Sequence, residues 1–445
     1  MAAVAARLAC LDVTHRRAAA LLGILAAALC VLLGTAAPAL AAPNPVPVAD
    51  DAGCRVPIAP PPPIDASEKP LPGTTAPPPL PVPAHPVGGP AMGNCGILLP
   101  AGAPPLPAGE TSASWLLADL DTGAVLAAHN PHARERPASL LKVLTSLVVL
   151  HSLNLDTVVE GTQEDANVPG SRVGVGAGGQ YSVRLLLTGL LLNSGNDAAN
   201  ALARQLGGVP AMLDAMSQTA ASMGALDTRP TSPSGLDAPG MSTSAYDLAL
   251  FYRAAVRDPT FVAISRTRLA DWPGHGDLPG FKISNDNRML TSYPGIIGGK
   301  TGFTDDARHT RVAAAERNGR RLVVVLMRGE THPVPMDTQA ARLLDYGFAL
   351  PADTPAVGNL VDQAPGDPEA EAEAQTARGW TGEALLAGST PDGQPAENIP
   401  ASLAVIGGGA LLGGLLSVLV ARRRPRGRHT AANIARPGPT EPPKR

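Results

Sequence analysis

Aromatic side chains make up 3% of this 445-residue chain. With neither an aromatic ladder nor a basic stripe, the sequence offers nucleic acid no stacking platform and no electrostatic track. The formal net charge of −3 selects no other partner. Cysteine is scarce: of four, Cys10 and Cys30 fall in or before an apolar N-terminal run, which leaves Cys54 and Cys95. In an exported chain that pair can form a disulfide closing a proline-rich loop, with two unpaired thiols as the alternative. Lysine is nearly missing as well, with five residues (Lys69, Lys142, Lys282, Lys300 and Lys444) against thirty arginines. Arginine does not lose its proton in proteins, so a site that needs a switchable amine must draw on these few positions.

Two apolar runs frame the chain. Ala18 to Leu33 follows Arg16 and Arg17 and precedes Ala39-Leu40-Ala41-Ala42, the pattern of a secretory signal over residues 1–41, with an uncleaved anchor as the alternative. Ile399 to Ala421 carries no charge and is followed by Arg422, Arg423, Arg424, Arg426 and Arg428. Its length and basic flank predict a transmembrane helix over 399–421 with residues 422–445 as a cytoplasmic tail, a buried core helix being the alternative. The bulk of the chain is therefore expected to be exported and held at the cell membrane by a single span. Residues 42–111 are dominated by Pro, Ala and Gly, including Pro60 to Pro63, and read as an extended spacer. Residues 351–398 carry Asp362, Asp367, Glu369, Glu371 and Glu373 with few large apolar residues, and read as an acidic, solvated tether.

Periodic structure is confined to residues 112–350. Ser114 to Leu120 and Ala124 to His129 flank Asp121-Thr122-Gly123 as one hairpin, and Thr310 to Ala315 and Arg321 to Met327 flank Asn318-Gly319 as another. Helical patterning covers Pro137 to Leu153, Val183 to Leu192, Asp197 to Gln205, Val209 to Met223, Ser244 to Val256 and Asp337 to Phe348. Strands at both ends with helices between predict an α/β domain of the α+β type, in which one antiparallel sheet built from both ends packs against a helical cluster.

Three short elements carry candidate chemistry. In Ser139-Leu140-Leu141-Lys142, a spacing of three puts hydroxyl and amine on one helix face. The helix continues through Val143 to Leu150, apolar on nearly every side, so Lys142 enters a core. Desolvation lowers a lysine pKa, and a neutral amine there can take the Ser139 proton. Of the five lysines only Lys142 has a serine three residues before it. The alternative is a surface lysine whose stem snorkels along the helix. Ser194-Gly195-Asn196 lies on a break between two helices, where the same residue types also serve as caps. Lys300-Thr301-Gly302, with Gly298-Gly299 before it and Phe303 after it, reads as a low-bulk strand edge that an extended peptide can join, its carboxylate meeting Thr301 and Lys300. A glycine-rich turn with an exposed lysine is the other reading.

Together and in this order, the three elements resemble the motif set of β-lactamases and penicillin-binding proteins. Gly179-Gln180-Tyr181-Ser182-Val183, Asn193 to Ala199, Ser234-Gly235-Leu236-Asp237 and Ser242 to Ala249 narrow the resemblance to the D-alanyl-D-alanine carboxypeptidase family, over about Ser112 to Phe348. The resemblance implies a β-lactamase/transpeptidase-like fold and a peptidoglycan stem peptide as substrate. Ser139 would be the nucleophile, Lys142 its base and Ser194 the relay to the leaving group, with Asn196, Lys300, Thr301, Gly302 and Phe303 binding substrate. It further implies backbone oxyanion donors at Ser139 and Phe303, no metal or other cofactor, and β-lactams as covalent inhibitors. The chain departs from the family after Gly302, where Asp305-Asp306-Ala307-Arg308 replaces a small residue and a glycine, leaving the pocket rim and the choice between Arg308 and Arg328 as carboxylate partner open. A class A β-lactamase route is disfavoured, because no glutamate lies between Asp197 and Gly299 to activate the deacylating water. A non-catalytic wall sensor and a Ser-His-Asp protease are the remaining alternatives.

Overall fold

The computed structural model describes residues 55–365. The expected signal segment, most of the acidic tether, the span over 399–421 and the basic tail lie outside the described residues, as does Cys54. Among the described residues no helix is long and apolar enough to cross a membrane. Cys95 is disulfide-bonded.

The strands are β1 (Ile97–Leu98), β2 (Ser114–Asp119), β3 (Ala124–His129), β4 (Val158–Glu160), β5 (Gln180–Ser182), β6 (Leu269–Trp272), β7 (Phe281–Ser284), β8 (Ile296–Thr304), β9 (Arg308–Arg317), β10 (Arg320–Gly329) and β11 (Gly358–Asn359). The principal helices are α1 (Lys142–Ser152), α2 (Val183–Leu192), α3 (Asn196–Gln205), α4 (Val209–Ser222), α5 (Ala245–Ala255), α6 (Pro259–Arg266) and α7 (Met336–Ala349). The main sheet is antiparallel in the order β1-β3-β2-β10-β9-β8, with β11 also paired to β3. Both sequence-predicted hairpins are present. Asn318 and Gly319 turn between β9 and β10 with positive φ at both positions, the backbone a two-residue hairpin needs.

The central strands read as continuous apolar runs because both faces of the sheet are covered. Along β10, Val323, Val325 and Met327 join the core shared with α1 to α6, whereas Leu322, Val324 and Leu326 pack with Leu343 and Leu344 of α7. Helix starts follow local chemistry. Ser182 and Ser244 accept the N–H of Leu185 and Asp247 at 3.1 and 3.2 Å, and Asp258 caps α6 ahead of Pro259. The expected antiparallel sheet with its helical cluster is what the chain forms.

Two expectations about organisation need correction. The described part of the segment read as a spacer over 42–111, residues 55–111, lies against the domain. It contributes β1 to the sheet and buries Val87 and Met92. A proline-rich chain has carbonyl acceptors but few N–H donors to pair with them, and buried Arg134 supplies donors: Nη1 donates to Ile58 O at 2.9 Å and to Leu80 O, and Nη2 to Pro81 O at 2.7 Å. His132 adds a bond from Nε2 to Val87 O at 2.9 Å. Likewise, the first part of the expected acidic tether closes the fold. Gly358 and Asn359 pair with β3, Leu360 is buried, and Asp362 binds Arg253 at 2.8 Å.

Candidate active site

The helix expected from Pro137 begins differently. Ala138–Leu141 form one 3-10 turn, and α1 starts at Lys142. Ala138 has φ +47°, a conformation that costs a non-glycine residue energy and persists only where the surroundings enforce it. The enforcement comes from two sides. Thr310 Oγ1 donates to Pro137 O at 3.0 Å from β9. Gly235, at φ +85°, sits so close that a Cβ there would lie 1.8 Å from Ala138 O. The strained turn presents Ser139 toward α1.

Lys142 is fully buried, and its Nζ has three neighbours: Ser139 Oγ at 2.9 Å, Asn196 Oδ1 at 2.8 Å and Ser234 O at 2.6 Å. Thr145, one turn along α1, donates to Pro233 O at 2.7 Å and so fixes the Ser234 carbonyl against the lysine. Burial, with the Lys300 charge second, pushes the Lys142 amine well below the ordinary lysine value, and Asp197 and Asp286 act the other way. Two of the neighbours are carbonyl oxygens that can only accept. A neutral amine has two N–H groups for them and one lone pair left for the Ser139 hydroxyl.

The break between α2 and α3 carries the second element. Ser194 has φ +59° and is 5% exposed. The capping alternative fails on geometry: Gly195 stands at the N-cap, and Asn196, the first residue of α3, directs Oδ1 to Lys142 and Nδ2 to Pro169 O at 2.8 Å. Asp197 has a separate task, accepting the N–H groups of Val173, Gly174 and Val175 at 2.8–2.9 Å and thereby holding the loop that faces Asn196.

Strand β8 forms the opposite wall. Lys300 is 2% exposed and donates to Thr301 O at 2.9 Å. Its pKa is lowered to about 8, by burial above all, with Asp286 opposing and Arg311 assisting. The reading of this element as a turn with an exposed lysine is thereby excluded. Gly302 lies where a Cβ would be 2.9 Å from Ser139 N and 2.4 Å from Thr310 Oγ1, so only glycine lets the strand run against the Ser139 backbone. Thr301 and Phe303 follow on the same strand. The Phe303 ring, 48% exposed, packs on His309 at 4.7 Å between centroids.

Ser139, Lys142 and Asn196 are thus joined by direct contacts, Gly302 touches the Ser139 backbone, and Lys300 acts on Lys142 through its charge. Both arginine candidates are engaged by glutamates, Arg308 with Glu330 at 2.9 and 3.1 Å and Arg328 with Glu135 at 3.1 and 2.9 Å. Sequence reasoning missed the Ser234 carbonyl, which has no side-chain signature, and Asp286, whose charge acts on both lysines. Asp237 entered the sequence reading only within the stretch Ser234 to Asp237; burial raises its pKa to about 6 against a hydrogen bond from Thr304. Among the described residues, His132, Asp227 and Asp247 also cluster. His132 has both ring nitrogens committed, Nδ1 to Asp227 at 2.7 Å and Nε2 to Val87 O, and the Asp227 charge raises its pKa against burial.

The sequence profile of the D-alanyl-D-alanine carboxypeptidase family matches residues 103–331. The chain is 46% identical over 256 residues to D-alanyl-D-alanine carboxypeptidase DacB2 of Mycobacterium tuberculosis, covering 56% of this chain and 87% of that protein. It is 35% identical to D-alanyl-D-alanine carboxypeptidase DacD of Salmonella typhimurium, covering 55% of this chain and 64% of DacD. Among solved structures, a D-alanyl-D-alanine carboxypeptidase from Mycobacterium tuberculosis superposes with a TM-score of 0.57 at 44% identity, over 59% of this chain and all of that one. The Streptomyces K15 DD-transpeptidase gives 0.52 at 27% identity, over 56% of this chain and all of the transpeptidase. Sheet order, the three-element cleft and these matches lead to one conclusion: the chain belongs to the D-alanyl-D-alanine carboxypeptidase family.

Proposed function

We propose that the chain is a serine-type D-Ala-D-Ala carboxypeptidase that removes the terminal D-alanine from peptidoglycan stem peptides. The observation that carries this reading is the buried Lys142 amine 2.9 Å from Ser139 Oγ, with two carbonyl oxygens as its other partners. The neutral amine takes the hydroxyl proton as Ser139 Oγ bonds to the carbonyl carbon of the penultimate D-alanine. Negative charge on the carbonyl oxygen is met by the backbone N–H groups of Ser139 and Phe303. Collapse breaks the peptide C–N bond, and the proton returns through Ser194 to the departing D-alanine amine. Water then adds to the acyl ester and frees Ser139 by the same proton path in reverse.

Asn196 orients the substrate amide. Lys300, Thr301 and Gly302 receive the extended peptide and its carboxylate along β8. A β-lactam enters the same cleft and acylates Ser139. No metal or organic cofactor takes part in this scheme. The apolar runs near the two ends supply export and a single membrane span, so the catalytic domain faces away from the cytoplasm. The test is D-alanine release by the purified chain from a peptide ending in D-Ala-D-Ala, alongside a Ser139→Ala variant. Release that survives the substitution rules the scheme out, and release by the unmodified chain separates it from a non-catalytic sensor.

A further inference from the structure

The rim of the cleft has an owner outside the matched family region. Asp306, in the turn after β8, is 6% exposed; its Oδ1 accepts the Ile64 N–H at 2.5 Å and its Oδ2 accepts the Ser67 hydroxyl at 3.1 Å. The next residue of the arm, Glu68, faces buried Arg136: Nη2 donates to Oε2 at 2.9 Å and Nε to Oε1. Neighbouring residues of one segment therefore grip two elements of the cleft. Asp306 lies three residues after Phe303, and Arg136 lies three residues before Ser139. Those are the positions whose backbone N–H groups are assigned to the oxyanion. Residues 64–68 precede the stretch 103–331 matched by the family profile, and Asp306 belongs to the sequence that departs from the family after Gly302.

We propose that Ser67 and Glu68 are positioning residues of the active site, bracing the turn after β8 against the segment that enters the Ser139 turn so that the two oxyanion donors keep their separation. The inference rests on the assignment of Ser139 and Phe303 as those donors. The brace has work to do. Ala138, between Arg136 and Ser139, is held at φ +47° and relaxes if its surroundings loosen. Donors serve an oxyanion only within a few tenths of an ångström of their proper place. The arm touches neither the Ser139 hydroxyl nor the Lys142 amine, so the brace acts on the rate of acylation through geometry and leaves substrate capture to β8.

The experiment uses the full chain with four variants: Ser67→Ala, Ser67→Thr, the double Ser67→Ala/Glu68→Gln, and Ser139→Ala. For each, kcat and KM of D-alanine release, the rate constant of penicillin acylation and the folded fraction by thermal melting are measured. The double variant is expected to lose on the order of 10-fold in kcat and in acylation, with KM within about twofold. Ser67→Ala, which keeps a charge partner for Arg136, should show the same split to a smaller degree. Ser67→Thr, retaining the hydroxyl, should match the unmodified chain. Unchanged acylation in both variants that carry Ser67→Ala, or a loss that merely follows the folded fraction, overturns the brace and leaves the Ser139 mechanism standing. Release that survives Ser139→Ala overturns both.

Discussion

Lys142 and Lys300 sit in one cleft, but the scheme needs them in opposite protonation states. Lys142 must be neutral to accept a proton, and burial with the neighbouring Lys300 charge lowers its pKa to make that possible. Lys300 must be charged to hold a carboxylate, and a value of about 8 keeps it so at neutral pH. Turnover should therefore rise with pH as Lys142 deprotonates, then fall as pH passes about 8 and Lys300 loses its charge. Lys300→Arg should remove the alkaline limb, because arginine keeps its charge, and pH profiles of kcat/KM for both proteins check this. Gly302→Ala puts a Cβ 2.9 Å from Ser139 N. We expect release to fall on the order of 100-fold, through displacement of the nucleophile's backbone, measured as kcat at saturating substrate. The contact between Ser139 and Lys142 was legible in the sequence because lysine is so rare here. The residues that tune the pair were not: Ser234 contributes only a carbonyl, and Asp286 acts through charge from a distant segment.

At the level of elements, the arm over residues 55–111 is the main surprise. Its composition argued for an independent spacer, because prolines form no ladder of their own and composition does not report donors supplied from elsewhere. Arg134 and His132 are those donors, and both also meet Asp227, at 3.0 and 2.7 Å. Burial works against a charge on His132, but Asp227, with Asp247 behind it, outweighs burial and raises the His132 pKa. The stabilisation is thus fully present below the unfolded histidine value near 6.5 and fades as pH rises through the raised folded value. His132→Gln should cost about 1–3 kcal/mol at pH 5 and progressively less at alkaline pH, read from denaturant midpoints of both proteins across that range. Hairpins and long helices were legible because their periods and turn residues are local. The 3-10 turn at Ala138–Leu141 was not, since contacts from Thr310 and Gly235 impose it.

For the whole molecule, the fold followed from strands at both ends and helices between, and the domain then proved larger than its periodic segment. Residues past Leu350 return to pair with β3, and residues before Ser112 supply β1 and bond to Asp306 and Arg136. Sequence separation hid both, because each contact spans tens to hundreds of residues. The proposed span over 399–421 makes a separate prediction: the full chain should sediment with membranes and resist extraction by salt, whereas a chain ending at Asn398 should be released in soluble, active form. Fractionation followed by penicillin labelling reads both outcomes.

The Ser139–Lys142 pair drives the proposed chemistry, and the most direct test of it is the site and pH dependence of penicillin acylation. Peptide mapping by mass spectrometry should place the adduct on Ser139, with a rate constant that climbs along an acid limb well below the ordinary lysine pKa and collapses in Lys142→Ala while Ser139 is intact. An adduct on any other residue, or acylation of undiminished rate in Lys142→Ala, would contradict it.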